Sequence, residues 1–162
     1  MSAVTPAELA RVNAELGRDA AGLTRWALGL GKNAIVTTNF RPFEAVILHL
    51  VTRVQPDMPV VWMDNGYNTE ATYRYADEVT RRLGLNLKTY LPLRTRAHRE
   101  AVEGPTPALD DPRHESFTQE VKLEPFARAL REQAPQVWFT ALRASDSAVR
   151  AQMEPVSINP DG

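Results

Sequence analysis

A chain of 162 residues, 43% hydrophobic and 24% charged, can enclose one well-buried core and is too short for two ordinary domains. Its formal net charge of -1 and pI near 6.3 supply no field to gather nucleic acid or an anionic membrane, so neither is expected as a partner and any anionic ligand needs a local cluster of donors. The absence of cysteine excludes disulfides, thiolate-bound zinc, cysteine-ligated iron–sulfur clusters and a cysteine nucleophile within these residues, and no cofactor or metal is expected.

The opening Met1-Ser2-Ala3-Val4-Thr5-Pro6 has no basic segment leading into an apolar one, and the longest apolar run, Ala45 to Val51, contains His49 and is too short to cross a bilayer. A cytoplasmic protein is the expectation. Thr5-Pro6-Ala7-Glu8 places a hydroxyl at N-cap, proline at N1 and glutamate at N3, which starts a helix ending near Leu16-Gly17. A second helix is expected from about Asp19 to Leu30, with Leu23, Trp26, Ala27 and Leu30 on one face and Trp26 as a core anchor.

Ala34 to Thr38 reads as the first strand, Asn39-Phe40-Arg41 as a loop and Pro42 to Val54 as the helix after it. Within that helix Glu44 reads as a first-turn charge and His49 as a hydrogen-bonded core histidine. Pro59 to Met63 is a β-branched apolar run closed by Asp64-Asn65-Gly66-Tyr67, which reads as a buried parallel strand feeding a loop. Ligands of open α/β sheets bind beyond the carboxyl ends of the strands, which makes that loop a candidate site. A plain turn at Asn65-Gly66 with Asp64 as a cap accounts for the same residues.

Thr69 caps a helix through Leu83 with Tyr73, Ala76, Val79, Thr80 and Leu83 inward, and Asn86 to Tyr90 is the next strand. The alternation of strand and helix predicts a three-layer α/β domain over residues 1–162, a mostly parallel twisted sheet with helices on both faces. Between Leu91 and Ser116 the prolines and Gly104 predict a short helix and then a loop or lid over residues 92–116, and Arg94, Arg96, His98 and Arg99 form either a solvated basic face or a phosphate site. Glu124-Pro125 reads as a helix start, and Gln136 to Thr140 as a buried strand leading into Arg143, Ser147 and Arg150. Two arginines and a hydroxyl just past a strand suit a phosphate or sulfate, and surface pairing with Asp146 and Glu154 is the competing account.

Four segments resemble the phosphoadenylyl-sulfate and adenylyl-sulfate reductases. Val60-Val61-Trp62-Met63-Asp64-Asn65-Gly66-Tyr67 with Glu70-Ala71-Thr72-Tyr73 and Leu83 to Lys88 is similar to that family's V-W-x-D-T-G-Y, E-T-Y and L-x-L-N-L-K text. Thr38-Asn39-Phe40-Arg41 and Ala45 to Leu50 resemble T-S-F-G-x-x-x-A-V-x-L-H-L, with Asn39 in place of serine and Arg41 in place of glycine. Arg41 either offers a guanidinium to an anion or fills the phosphate pocket. Phe117 to Leu130 resembles C-C-x-x-R-K-V-E-P-L-x-R-A-L, and Ala141 to Arg150 resembles G-x-R-R-x-Q-S-x-x-R. Phe117-Thr118 replaces the family's cysteine pair, so the resemblance carries over no iron–sulfur cluster.

The resemblance implies an adenine nucleotide α-hydrolase-like fold, with a nucleotide site built from Asn39, Phe40, Arg41, Asp64, Asn65, Gly66, Lys122, Arg143, Ser147 and Arg150. It implies phosphoadenylyl sulfate, adenylyl sulfate or adenosine 3′,5′-bisphosphate as ligand, a role in sulfate assimilation, and a homo-oligomer. The family's thiol-dependent reduction to sulfite uses a cysteine in a C-terminal tail, with thioredoxin as the reductant. Pro160-Asp161-Gly162 stands where that tail would follow, so no catalytic residue is assigned, and thioredoxin or a second chain supplying the tail is the partner the family implies. A cysteine-free nucleotide-binding relative with a regulatory or assembly role is the alternative. An ATP-using adenylyltransferase ranks below it, because no S-G-G-x-D-S loop is present.

Overall fold

The computed structural model describes residues 4–159; the expectations attached to Met1-Ser2-Ala3 and to Pro160-Asp161-Gly162 lie outside the described residues. Four strands, β1 (Ala34–Thr38), β2 (Pro59–Met63), β3 (Asn86–Tyr90) and β4 (Val137–Phe139), form one sheet in the order β3-β2-β1-β4 with parallel pairing throughout. Val36 lies opposite Val60, Val60 opposite Leu87, and Ala34 opposite Val137.

The inner strands are apolar on both faces because both are covered, as parallel sheets require. On one face Val36, Val60 and Trp62 pack with Leu48, Val51, Ala76 and Val79 from α3 (Ala45–Val54) and α4 (Glu70–Leu83), with Leu28 of α2 (Ala20–Gly29) against them. On the other, Ile35 and Val61 pack with Tyr90 and with Ala129 of α7 (Glu124–Gln133). The expected three-layer α/β architecture is therefore present. Thr5 caps α1 (Pro6–Leu16) through the Glu8 amide at 3.2 Å, and Asn13 of α1 exchanges two hydrogen bonds with Val156, at 2.8 and 2.9 Å, pinning the late chain to this outer helix. Among the described residues no helix is long and apolar enough to cross a membrane.

Several expectations are corrected. His49 is exposed on the outside of α3 rather than held in the core, and Trp26 is half-buried while Gly22, Thr24 and Ala27 are the buried members of α2. β4 is three residues long and sits at the sheet edge, so it is only partly covered: Trp138 is 43% exposed, its indole N–H bonded to the Thr37 hydroxyl at 3.0 Å. The segment 92–116 contains the eight-residue α5 (Arg96–Glu103), capped by Thr95, and the start of α6 (His114–Thr118). Pro125 does not begin a fresh helix. It lies inside a helical run from α6 to α7, where residues 119–123 widen into a π turn and the Glu124 amide bonds the Gln119 carbonyl. A wider turn accommodates a proline that cannot donate and would crowd the carbonyl of Val121.

The connectivity creates one switch point. From β1 the chain builds outward through β2 to β3, then returns past the other side of β1 to make β4. Loops leaving β1 and β4 therefore emerge side by side at the carboxyl end of the sheet, where ligands usually bind in this class of fold.

Candidate functional site

The loop after β1 is shaped by an unusual residue. Phe40 has φ 53, a left-handed conformation that costs a side-chain-bearing residue roughly 1–2 kcal/mol. Its ring is 3% exposed and meets Trp62 edge-on at 5.0 Å, so core packing offsets the strain. Phe40 thus anchors the loop with its ring in the core. The buried Thr38 accepts the Phe40 amide at 2.9 Å and donates its hydroxyl to Oε2 of Glu44 at 2.8 Å. The same oxygen receives the Asn39 amide at 2.6 Å and the Arg41 amide at 3.4 Å. The Asn39 and Arg41 side chains are exposed.

The loop after β2 is organised from within. Asp64, 8% exposed, accepts the Gly66 amide at 3.0 Å, the Asn68 amide group at 2.9 Å and the Tyr73 hydroxyl at 2.8 Å on one oxygen. Burial, and then the Asp64 carboxylate beside it, push the Tyr73 hydroxyl above its ordinary pKa. Asn65 accepts the Tyr67 amide at 2.8 Å, and Gly66 takes φ 79, which glycine adopts without a Cβ penalty. These bonds make a turn at Asn65-Gly66, with Thr69 rather than Asp64 capping α4, and fix a loop whose outer side is the Tyr67 ring.

Tyr67 joins that loop to the segment read as a basic face. The Arg96 guanidinium lies over its ring at 4.8 Å, Arg99 Nε donates to its hydroxyl at 2.9 Å, and Phe117 meets it edge-on at 5.4 Å. Arg99 is 3% exposed and stacks on Phe117 at 4.5 Å, which corrects the expectation of a solvated face at this residue. Its Nη2 has no partner among the described residues. The spacing of Arg96 and Arg99 did not distinguish buried from solvated arginine; Tyr67 and Phe117, far apart in sequence, decide it.

Beyond β4, Arg143 stacks on Phe43 at 5.0 Å, bringing the β4 exit against the β1 exit. Asp146 ties the two candidate arginines together: Arg143 donates through Nη2 at 2.8 Å and Nε at 3.1 Å, and Arg150 through Nη1 at 3.2 Å. These bonds, Arg143 foremost, hold the Asp146 carboxyl below the usual aspartate range. Ser147 accepts the Arg150 amide at 3.2 Å. Lys122 is exposed on the π turn and makes no ion pair among the described residues. The structure thus joins the 39–44 and 143–150 segments directly, whereas among the described residues the 64–66 loop and Lys122 have no hydrogen bond or ion pair to either. Thr38, Glu44, Tyr67, Arg99 and Asp146 are the organising residues that sequence reasoning left out of the site.

Two surface cavities lie elsewhere. One of about 240 Å³ between α3 and α4 is bordered by His49, Tyr75, Glu78 and Arg82, and one of about 540 Å³ lies beside α6 near Asp111 and His114. None of the candidate residues lines either. Among the described residues no three histidine, aspartate or glutamate side chains cluster as metal ligands.

Comparison with known proteins gives a consistent result. Residues 33–161 match the family described as "Phosphoadenosine phosphosulfate reductase domain". Proteins named phosphoadenosine 5′-phosphosulfate reductase are similar to the chain: one from Synechococcus sp. is 39% identical over 166 residues, covering 99% of this chain and 70% of its own length. One from Xanthomonas euvesicatoria is 42% identical over 147 residues (90% and 61%), and one from Escherichia coli K12 is 40% identical over 152 residues (93% and 62%). The chain therefore spans between 61% and 70% of the length of these relatives. The crystal structure of phosphoadenylyl-sulfate reductase from Candida auris in its phosphate complex superposes with TM-score 0.75 at 21% identity, covering 88% of this chain and 70% of that one, a likeness of fold.

Proposed function

Because the chain belongs to the phosphoadenosine phosphosulfate reductase domain family, we propose that it is the nucleotide-holding domain of a reductase-like protein of sulfate assimilation. Its ligand is an adenine nucleotide carrying phosphate or sulfate: phosphoadenylyl sulfate, adenylyl sulfate or adenosine 3′,5′-bisphosphate. The observation that carries the reading is the meeting of the β1 and β4 exits at the switch point, Arg143 over Phe43 at 5.0 Å. It brings the backbone donors of one loop beside the guanidinium groups of the other, a donor set matched to anionic oxygens. In this reading Arg41, Arg143 and Arg150 meet the anion, Asn39 and Gly66 offer close backbone, and Tyr67 borders the nucleotide. Lys122 approaches from the α7 side.

Reduction to sulfite needs a thiolate, and these residues contain no cysteine, so no sulfur-transfer step is routed through them. Thioredoxin and a cysteine-bearing segment are the partners the full reaction calls for. The missing thiol equally favours a second reading, a nucleotide-binding relative with a regulatory or assembly role. Sulfite release from phosphoadenylyl sulfate with thioredoxin and a supplied cysteine-bearing tail supports the first; nucleotide binding without sulfite release supports the second.

Calorimetric titration tests the part both share. Adenosine 3′,5′-bisphosphate binds the wild-type chain at a dissociation constant below about 1 mM, and Arg143→Ala weakens it about tenfold or more, the usual loss of a charged hydrogen bond. No heat with that ligand, adenylyl sulfate or ATP at millimolar concentration overturns the nucleotide reading.

A further inference from the structure

Donors at both strand exits already hold an anion supplied by the chain itself. At the β1 exit, one oxygen of Glu44 gathers the Thr38 hydroxyl, the Asn39 amide and the Arg41 amide at 2.8, 2.6 and 3.4 Å. Ordinary helix capping accounts only for the bond to Arg41, which is the longest; the two short bonds reach upstream of the cap to the end of the strand. At the β4 exit, Asp146 gathers both guanidinium groups and, at 3.3 Å, the Arg143 amide. The two clusters touch through the Arg143–Phe43 stack. A carboxylate offers these donors what one edge of a phosphate or sulfate offers: unit negative charge and oxygens that accept charge-assisted bonds.

Resting on the nucleotide reading above, we propose that Glu44 and Asp146 are resident anions that set the charge selectivity of this site: an anionic group on the ligand enters by displacing one or both carboxylates, and the uncharged nucleoside part does not. They are specificity-determining residues. A ligand anion at the β1 loop would otherwise lie beside Glu44 and be repelled by it, so the affinity for phosphate is reduced by what the carboxylate holds. Removing the charge while keeping an acceptor oxygen frees the donors without emptying the space.

The test is calorimetry on the whole chain and on Glu44→Gln, Asp146→Asn and the double variant, with adenosine 3′,5′-bisphosphate and, as the uncharged control, adenosine. Thermal melting of each variant checks folding. The expected result is a gain of about tenfold in bisphosphate affinity for each single variant, a larger gain for the double, and adenosine binding within about twofold of wild type. Wild-type binding of the bisphosphate with unchanged or weaker binding by the folded variants overturns the proposal and leaves the nucleotide reading standing. An equal gain for adenosine also overturns it, because a loosened loop rather than a removed charge is then responsible. No binding by any of the proteins overturns the proposal and the nucleotide reading together.

Discussion

Asp64 shows how one side chain sets a loop. Its carboxylate accepts bonds from Gly66, Asn68 and Tyr73, and Asp64→Ala removes the acceptor for all three in a site almost closed to water. Urea denaturation of that variant shows a loss of about 3 kcal/mol, and Tyr73→Phe, which deletes one bond, about 1–1.5 kcal/mol. Asp146 gives a prediction in pH. Its folded pKa is depressed by Arg143, so the stability it contributes is present above the ordinary aspartate range and lost as pH falls through the depressed value. Carbon NMR titration finds the Asp146 carboxyl below the ordinary value in the wild type and shifted upward in Arg143→Gln; no upward shift would detach the carboxyl from that arginine. Residue type predicted which groups carry charge but not their partners. Glu44 reads as a helix-start charge because its bonds to Thr38 and Asn39 depend on the left-handed turn at Phe40, which nothing in a Phe-Arg-Pro sequence announces.

At the scale of elements, local signals and structure agree where caps and apolar periodicity coincide. α4 begins after Thr69, whose hydroxyl accepts the Thr72 amide at 3.2 Å, and ends at Gly84 with φ 62. Thr69→Ala costs about 1 kcal/mol by chemical denaturation. Gly84→Ala costs about 1 kcal/mol as well, and since no atom lies within 4 Å of an added Cβ, that loss is backbone conformation alone. The apolar β1 and β2 and the more polar β3 have the predicted bounds because strand runs bounded by turn residues are local signals. β4 was expected two residues longer and buried, since an apolar run does not report whether a second neighbour will cover it. The π turn before Pro125 was illegible for a related reason: a proline after glutamate marks a helix start equally well. Arg99 is buried for a tertiary reason, its stack on Phe117.

For the molecule as a whole, the parallel sheet and its two helical layers form the rigid part that holds the loops. Leu48, fully buried between α3 and the sheet, stands for that core: Leu48→Ala lowers stability by about 2–5 kcal/mol. The order β3-β2-β1-β4 could be anticipated only through resemblance to a family, because strand order is set by long-range pairing; with that order known, the switch point between the β1 and β4 exits follows. Binding of an adenine nucleotide there is read out residue by residue in ¹⁵N chemical-shift mapping during titration with adenosine 3′,5′-bisphosphate. The largest shifts are expected at the amides of Asn39, Arg41 and Arg143, with Gly66 following. Largest shifts around His49 and Arg82, at the cavity between α3 and α4, or no shifts at millimolar ligand, would contradict it.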